Sequence, residues 1–272
     1  MASNSEISPS QLARLVGLPG QPVIVDVRTD DDFASDPRIV PGTIRRDFRT
    51  VPDWAGDFTG SSVVVVCQRG AKLSQGVSAW LRHDGITAES LEGGFEGWRR
   101  AQGLLVDTAK IPGRDGTGRT VWVTRARPKI DRIACPWLIR RFVDAAAVFL
   151  FVSASEVVGV AERFGATPFD IEGAFWSHRG ERCTFDTMIE EFGLHSGPLD
   201  RLADIVRAAD TARLDAAPQA AGLLAASLGY SRMYRDDQEQ LAASLSLYDA
   251  FYRWCRDAVD ETHDWPAPRK PA

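Results

Sequence analysis

Cys67 closes a run of four valines and opens a short cationic loop, VVVVCQRGAK, at residues 63–72. A cysteine is a strong nucleophile as thiolate, and basic neighbours or a helix start favour that form. Gln68, Arg69, Gly70, Ala71 and Lys72 supply such surroundings. Their backbone N–H groups can wrap toward the sulfur, and Gly70 allows the tight turn that this needs. Arg69 and Lys72 add formal charge, and a helix beginning beyond the loop would point its positive end inward. The chemistry implied is nucleophilic attack by Cys67 in a pocket that attracts a small dianion.

Two further groups carry chemistry. Arg125, Arg127, Lys129, Arg132, Arg140 and Arg141 fall close together with one carboxylate among them, Asp131. In an extended chain Arg125, Arg127 and Lys129 would share one side. Arg132 would then open a helix, where its charge opposes the dipole unless an anion binds nearby. Arg125, Arg127, Lys129 and Arg132 are therefore the candidate residues for a small-oxyanion site. The other group is SHRGERCTFD, in which His178, Glu181 and Cys183 are candidate metal ligands. Their spacing matches no standard ligand motif, so a polar brace between two elements is the competing reading. Cys183 stands before a helix start, which would lower its pKa, and Asp186 suits the first turn of that helix.

These residues need a scaffold. Ser8-Pro9 begins a short helix, and PVIVDVR (22–28) reads as a buried parallel strand. VPGTI (40–44) is a turn feeding an extended piece. SSVVVVC is a strand covered on both faces, and the spacing of Leu73, Val77, Trp80 and Leu81 predicts one buried helix face behind it. ITAESLEGGFEGW gives a strand, a Gly-Gly turn and a short helix. Strand–helix alternation of this kind indicates an open α/β layer. Residues 109–118 are rich in glycine and charge and are expected to link residues 1–108 to 119–272. Beyond them TVWVTRARP reads as a strand, DRIACPWLIRRFV as a helix, AVFLFV as a buried strand and SEVVGVAERFG as a helix. Thr184 can cap a helix ending at Gly193. Three more helices follow, in LDRLADIVRAAD, PQAAGLLAASLG and the stretch from Asp236 to Val259, which places Cys255 in the core. His195 and His263 read as loop residues.

Composition sets limits. The chain has 272 residues, 44% hydrophobic and 25% charged, with a formal net charge of −5. Neither half is basic, which argues against a nucleic-acid partner. No apolar run approaches a membrane span. The N-terminal MASNSEISPSQ has no basic start or apolar core, and the four cysteines are scattered, so reduced thiols and a cytoplasmic location are expected.

The first ~106 residues resemble the rhodanese family of sulfurtransferases. The matching pieces are VIVDVRTDDDF, VPGTI, VVVVCQRGAKLSQGVSAWLR and LEGGFEGWRRAQGLLV, in the family's order. The resemblance implies a rhodanese-like open parallel sheet with helices on both faces. It also implies a thiosulfate sulfurtransferase in which Cys67 carries sulfane sulfur as a persulfide. A thiol or cyanide would accept that sulfur, and no cofactor is required. The loop from Cys67 to Lys72 has the sulfurtransferase length of six residues. Asp26, Arg28 and Ser74 are implied as supporting residues. The chain departs from the family at Arg38-Ile39-Val40, before the Pro-Gly turn, and at Lys72-Leu73-Ser74, where Arg-Ser is common.

Residues 119–262 resemble the C-terminal domain of the ChrB family of chromate-resistance proteins. The segments are VTRARPKIDRIACPWLIRRFVD, FDIEGAFWSHRGERCTFDTMIEEFGL, LDRLADIVRAADTARLDAAPQAAGLL and LSLYDAFYRWCRD. This implies an α+β domain ending in several helices and a link to chromate, which like thiosulfate is a tetrahedral dianion. The leading expectation is a sulfurtransferase linked to chromate resistance. The alternative is an oxyanion-sensing regulator that uses the rhodanese-like domain as a redox module.

Overall fold

The structure, a computed structural model, describes residues 5–262. His263 lies outside the described residues. The first half alternates β1 (Glu6–Ile7), α1 (Pro9–Ala13), β2 (Val23–Asp26), α2 (Asp30–Ser35), β3 (Thr43–Arg45), α3 (Val51–Trp54), β4 (Ser62–Val66), α4 (Lys72–His83), β5 (Thr87–Leu91) and α5 (Gly94–Arg100). The strands form one parallel sheet in the order β1-β5-β4-β2-β3. Strand β4 is central and its side chains alternate between two cores, which is why it reads as uninterrupted valine. Val64 and Val66 pack with Leu91, Phe95 and Trp98 on one face. Val63, Val65 and Cys67 pack with Val77 and Leu81 of α4 on the other. Trp80, expected on the buried side of α4, is instead half exposed. Its position at i+7 from Leu73 lies at the edge of the apolar stripe, and Val77 and Leu81 are enough to fill the sheet face.

The second half holds β6 (Val121–Arg125), α6 (Asp131–Leu138), β7 (Val148–Val152), α7 (Val157–Phe164), β8 (Thr167–Pro168), α8 (Thr184–Phe192), α9 (Gly197–Asp210), α10 (Ala220–Met233) and α11 (Asp237–Asp257). Its parallel sheet runs β7-β6-β8. AVFLFV was expected as a buried strand, but β7 is an edge strand and only Phe149 of its five residues is buried. The side chains of an edge strand meet neighbours on one flank only, so its apolar run is half covered. Helix α6 carries Pro136 and continues as a π-helical turn through Ile139–Val143. That turn directs Arg141 onto buried Asp249 of α11, at 2.8 and 2.7 Å, while Trp137 Nε1 donates to the same carboxylate at 2.8 Å.

Residues 109–118 are pinned at several points. Arg114 pairs with Asp144 at 3.2 Å, and Asp115 accepts from Thr117 and Arg119. The two halves share a core. Ile7, Leu12, Val16 and Ile24 belong to the same buried cluster as Trp137, Phe142, Phe192 and Tyr252. At the seam the Phe142 carbonyl accepts the Gly42 N–H at 2.7 Å, and the Phe142 ring lies against the Gly17 backbone. A Cβ on Gly17 would stand 2.3 Å from Phe142 Cζ, and Gly17 has φ +78°. Phe142 cannot yield, being wedged edge-on against Trp137 and Tyr252. Gly17→Ala should therefore lower unfolding stability by roughly 2–4 kcal/mol in urea titration. Gly20→Ala, with φ +79° and open space around it, should cost only about 1 kcal/mol.

Candidate functional site

Cys67 sits where β4 ends, on the carboxyl edge of the sheet, and it is 4% exposed. The chain then turns through Gly70 and enters α4, whose start has no side-chain cap. Ser74, in the first turn of α4, brings its Oγ to 3.1 Å from Cys67 Sγ. The outside of the loop rests on the start of α5. The Phe95 N–H donates to the Cys67 carbonyl at 2.9 Å, and the Glu96 N–H donates to the Gln68 carbonyl at 3.0 Å. These bonds satisfy N–H groups that a helix start otherwise leaves unpaired. The approach is so close that a Cβ on Gly94 would fall 2.2 Å from the Cys67 oxygen and 2.3 Å from the Gly70 nitrogen. A Cβ on Gly70 would meet Gly94 N and Leu91 O at 2.6 Å.

Arg69 and Lys72 are exposed, and Arg69 approaches Glu96 at 3.6 Å. Gln68 Nε2 donates to Glu96 at 3.3 Å. Asp26 and Arg28 form a buried pair, with Arg28 Nε donating to Asp26 Oδ2 at 2.8 Å. The same guanidinium donates to the carbonyls of Asp36 and Arg38, both at 2.8 Å, and stacks 3.8 Å above the Phe95 ring. Asp26 and Arg28 thus brace Phe95 and the start of α5, on which the Cys67 loop rests. The sequence reading passed over RRDFR. Arg45, Arg46 and Arg49 line a concave site of about 270 Å³, but Asp30 and Asp47 line it too and pair with Arg45 and Arg49, both at 3.0 Å, while Arg46 lies 3.7 Å from Asp57. The site lies on the carboxyl edge two strands from Cys67. The signal was available as three arginines within five residues.

All four cysteines are free and buried. Burial, reinforced by Asp131, pushes the Cys135 and Cys183 thiols well up, and burial raises Cys255 to about 11. The expectation of a lowered Cys183 pKa is corrected. Cys183 is itself the N-cap residue of α8, its N–H donating to Asp186 at 3.0 Å, but its enclosure beside carboxylates outweighs the helix dipole. Thr184 is the first helical residue, not the cap.

In the second half the expected line of cations does not form. Strand β6 ends at Arg125, and Arg127 turns to φ +57°, so the chain is not extended through Lys129. Arg127 reaches back to the carbonyls of Ser231 and Tyr234 at the end of α10. Lys129 lines a separate shallow site with Arg127 and Arg232. Arg125 and Arg132 converge on Asp170 Oδ2, at 3.4 and 3.3 Å.

Asp170 belongs to a group that the sequence did not reveal. His178 Nε2 stands 3.4 Å from Asp131 Oδ2, 3.4 Å from Asp170 Oδ1 and 3.3 Å from Asp210 Oδ2. Thr184 holds two of these carboxylates, its N–H donating to Asp131 Oδ2 at 2.5 Å and its hydroxyl to Asp170 Oδ1 at 2.9 Å. The carboxylates come from α6, the segment after β8 and the end of α9, with His178 on the loop before α8. Burial pushes the Asp131 carboxyl up to about 6, against the pull of His178. Burial acts the same way on Asp170, but His178, Thr184 and the two arginines outweigh it and lower its pKa. Hydrogen bonding to Asp131, then Asp170 and Asp210, raises His178 to about 12. Glu181 stands apart, exposed and 3.4 Å from Arg213. Of the three candidate metal ligands, only His178 enters the group.

An open parallel sheet with a cysteine loop on its carboxyl edge defines the first half as a rhodanese-like fold. The family described as "Rhodanese-like domain" matches residues 8–101. The family described as "ChrB, C-terminal domain" matches residues 122–255, so the chain joins a rhodanese-like domain to a ChrB-type C-terminal domain. A curated relative, Protein ChrB of Cupriavidus metallidurans, is 34% identical over 146 residues, which span 52% of this chain and 43% of that one. A rhodanese-like domain protein from Staphylococcus aureus is 32% identical, with a TM-score of 0.31, over 35% of this chain and 90% of that chain. A thiosulfate sulfurtransferase from Pseudomonas aeruginosa is 24% identical, with a TM-score of 0.33, over 38% of this chain and 19% of that chain. Overlays of that size carry no functional argument.

Arg28→Ala would leave the buried Asp26 carboxylate unpaired. Urea unfolding should show a loss of roughly 3–5 kcal/mol. Arg38→Ala removes an exposed pair with Asp36 and should cost under about 1 kcal/mol.

Proposed function

We propose that the chain is a sulfurtransferase in which Cys67 carries sulfane sulfur from a thiosulfate-type donor. The observation that carries this reading is the cradle itself. Cys67 Sγ faces the start of α4 through Ser74, that start has no side-chain cap, and the carbonyls on the outside of the loop are engaged by α5. Fixed backbone dipoles of this kind stabilise negative charge without reorganising during reaction.

In the first step the Cys67 thiolate attacks the outer sulfur of thiosulfate. The new S–S bond forms as the old one breaks, and sulfite leaves with the bonding electron pair. Cys67 then holds a persulfide. In the second step a thiolate or cyanide attacks the terminal sulfur, and the Cys67 thiolate is released. No net oxidant is consumed and no cofactor takes part. Arg69 and Lys72, exposed on the loop, favour the approach of a dianion. The ChrB-type half links this activity to chromate resistance, chromate having the same shape and charge as the sulfur donor.

Intact-mass analysis after thiosulfate treatment should show one added sulfur, about 32 Da, located on Cys67 and on none of Cys135, Cys183 or Cys255. Cys67→Ser should lose both that adduct and thiosulfate:cyanide turnover, by at least about a thousandfold. Unchanged turnover in Cys67→Ser, or an adduct on another thiol, would remove the reading.

A further inference from the structure

We propose that Asp131, Asp170 and His178 form a three-ligand binding site for one divalent first-row metal ion, of the Mn²⁺, Fe²⁺ or Zn²⁺ kind, with the Asp210 carboxylate adding negative charge beside it. The inference is independent of sulfur transfer at Cys67.

Three observations carry it. The first is spacing. Metal–ligand distances of about 2.1 Å in tetrahedral geometry place neighbouring donor atoms about 3.4 Å apart. His178 Nε2 lies 3.3–3.4 Å from one oxygen of each of the three carboxylates. One donor atom from each of Asp131, Asp170 and His178 lies within 4.8 Å of the other two, while Asp210 falls outside that set and pairs with His178 alone among them. The second is an unmet bonding need. His178 offers a single Nε2–H to three carboxylates, each beyond the usual 2.7–3.2 Å range. Asp131 is fully buried, and its Oδ1 has no partner even though Oδ2 of the same carboxylate reaches His178 and Thr184. A buried carboxylate oxygen without a partner is costly, and a cation bound by the same carboxylate would offset that cost.

The third observation is support from outside. Arg125 and Arg132 hold Asp170 Oδ2, and Thr184 donates to both Asp131 and Asp170. Outer partners of this kind fix carboxylates in ligating orientations. The ligand chemistry selects the ion. Two carboxylate oxygens and one imidazole nitrogen form a hard to borderline set. His178 and Asp170 also border an open cavity of about 740 Å³, with Arg125 and Ser177 on its wall. An ion here would present a free coordination position to that cavity, where Arg125 favours a small anion as the further ligand.

The test is calorimetric titration of the purified 272-residue chain, stripped with chelator, against Mn²⁺ and against Zn²⁺. One equivalent of at least one ion should bind, with a rise in thermal midpoint. His178→Ala should weaken binding at least a hundredfold, and Asp210→Asn at least tenfold. Asp210 sits at the partly exposed end of α9, so Asp210→Asn provides a folded variant if His178→Ala is unstable. Mn²⁺ electron paramagnetic resonance should report nitrogen coordination that His178→Ala removes. Absence of stoichiometric binding by the folded wild-type chain would overturn the proposal. So would equal affinity in folded His178→Ala or Asp210→Asn.

Discussion

The rhodanese-like half depends on one backbone arrangement: the carbonyls of Cys67 and Gln68 accept the Phe95 and Glu96 N–H groups at the start of α5. This pairing satisfies both partners and fixes the outside of the loop. The inside is left to the sulfur, Ser74 and the uncapped start of α4. Two glycines face each other because no side chain fits between the segments. Arg28 extends the same support outward, linking Asp26 to the face of the Phe95 ring. The formal charges of Arg69 and Lys72 lie out in solvent, while Ser74 Oγ stands 3.1 Å from the sulfur.

The second half solves a different problem with other means. Its polar centre is built from ionised side chains held in an apolar surround. The cations expected to gather an oxyanion divide instead between neutralising Asp170 and tying α10 to the end of β6. An anion reaching Arg125 would arrive beside Asp170, and its reception depends on what balances the three carboxylates. The two halves share a core, in which Phe142 and the backbone at Gly17 and Gly42 meet, while Cys67 packs in the separate cluster on the other face of the first sheet.

Most elements were legible because periodicity and punctuation agree in them. The valine run, the Leu73–Val77–Leu81 stripe and the Gly-Gly turn each specify local structure without distant partners. The Cys67 loop was legible for the same reason, since its residues are contiguous. What escaped was assembled from afar. Asp131, Asp170, His178 and Asp210 span 80 residues of sequence, and no local pattern joins them. Asp131 had been visible only as the lone acid among cations. The line of Arg125, Arg127 and Lys129 failed because alternation implies a shared side only while the strand lasts, and β6 stops at Arg125. The role of the Gly-Gly turn as a seat for the Cys67 loop likewise needs the tertiary contact to be seen.

The central claim is that the seat on α5 makes Cys67 a sulfur carrier. Gly94→Ala tests it most directly, because the added Cβ enters the space between the Cys67 carbonyl and the Gly70 nitrogen while leaving every reactive side chain in place. The measurement is the rate of persulfide formation on Cys67 with thiosulfate, in protein whose tryptophan fluorescence and cooperative unfolding confirm a folded chain. The account predicts a rate at least tenfold below wild type. A folded Gly94→Ala protein that forms the persulfide at the wild-type rate would contradict it.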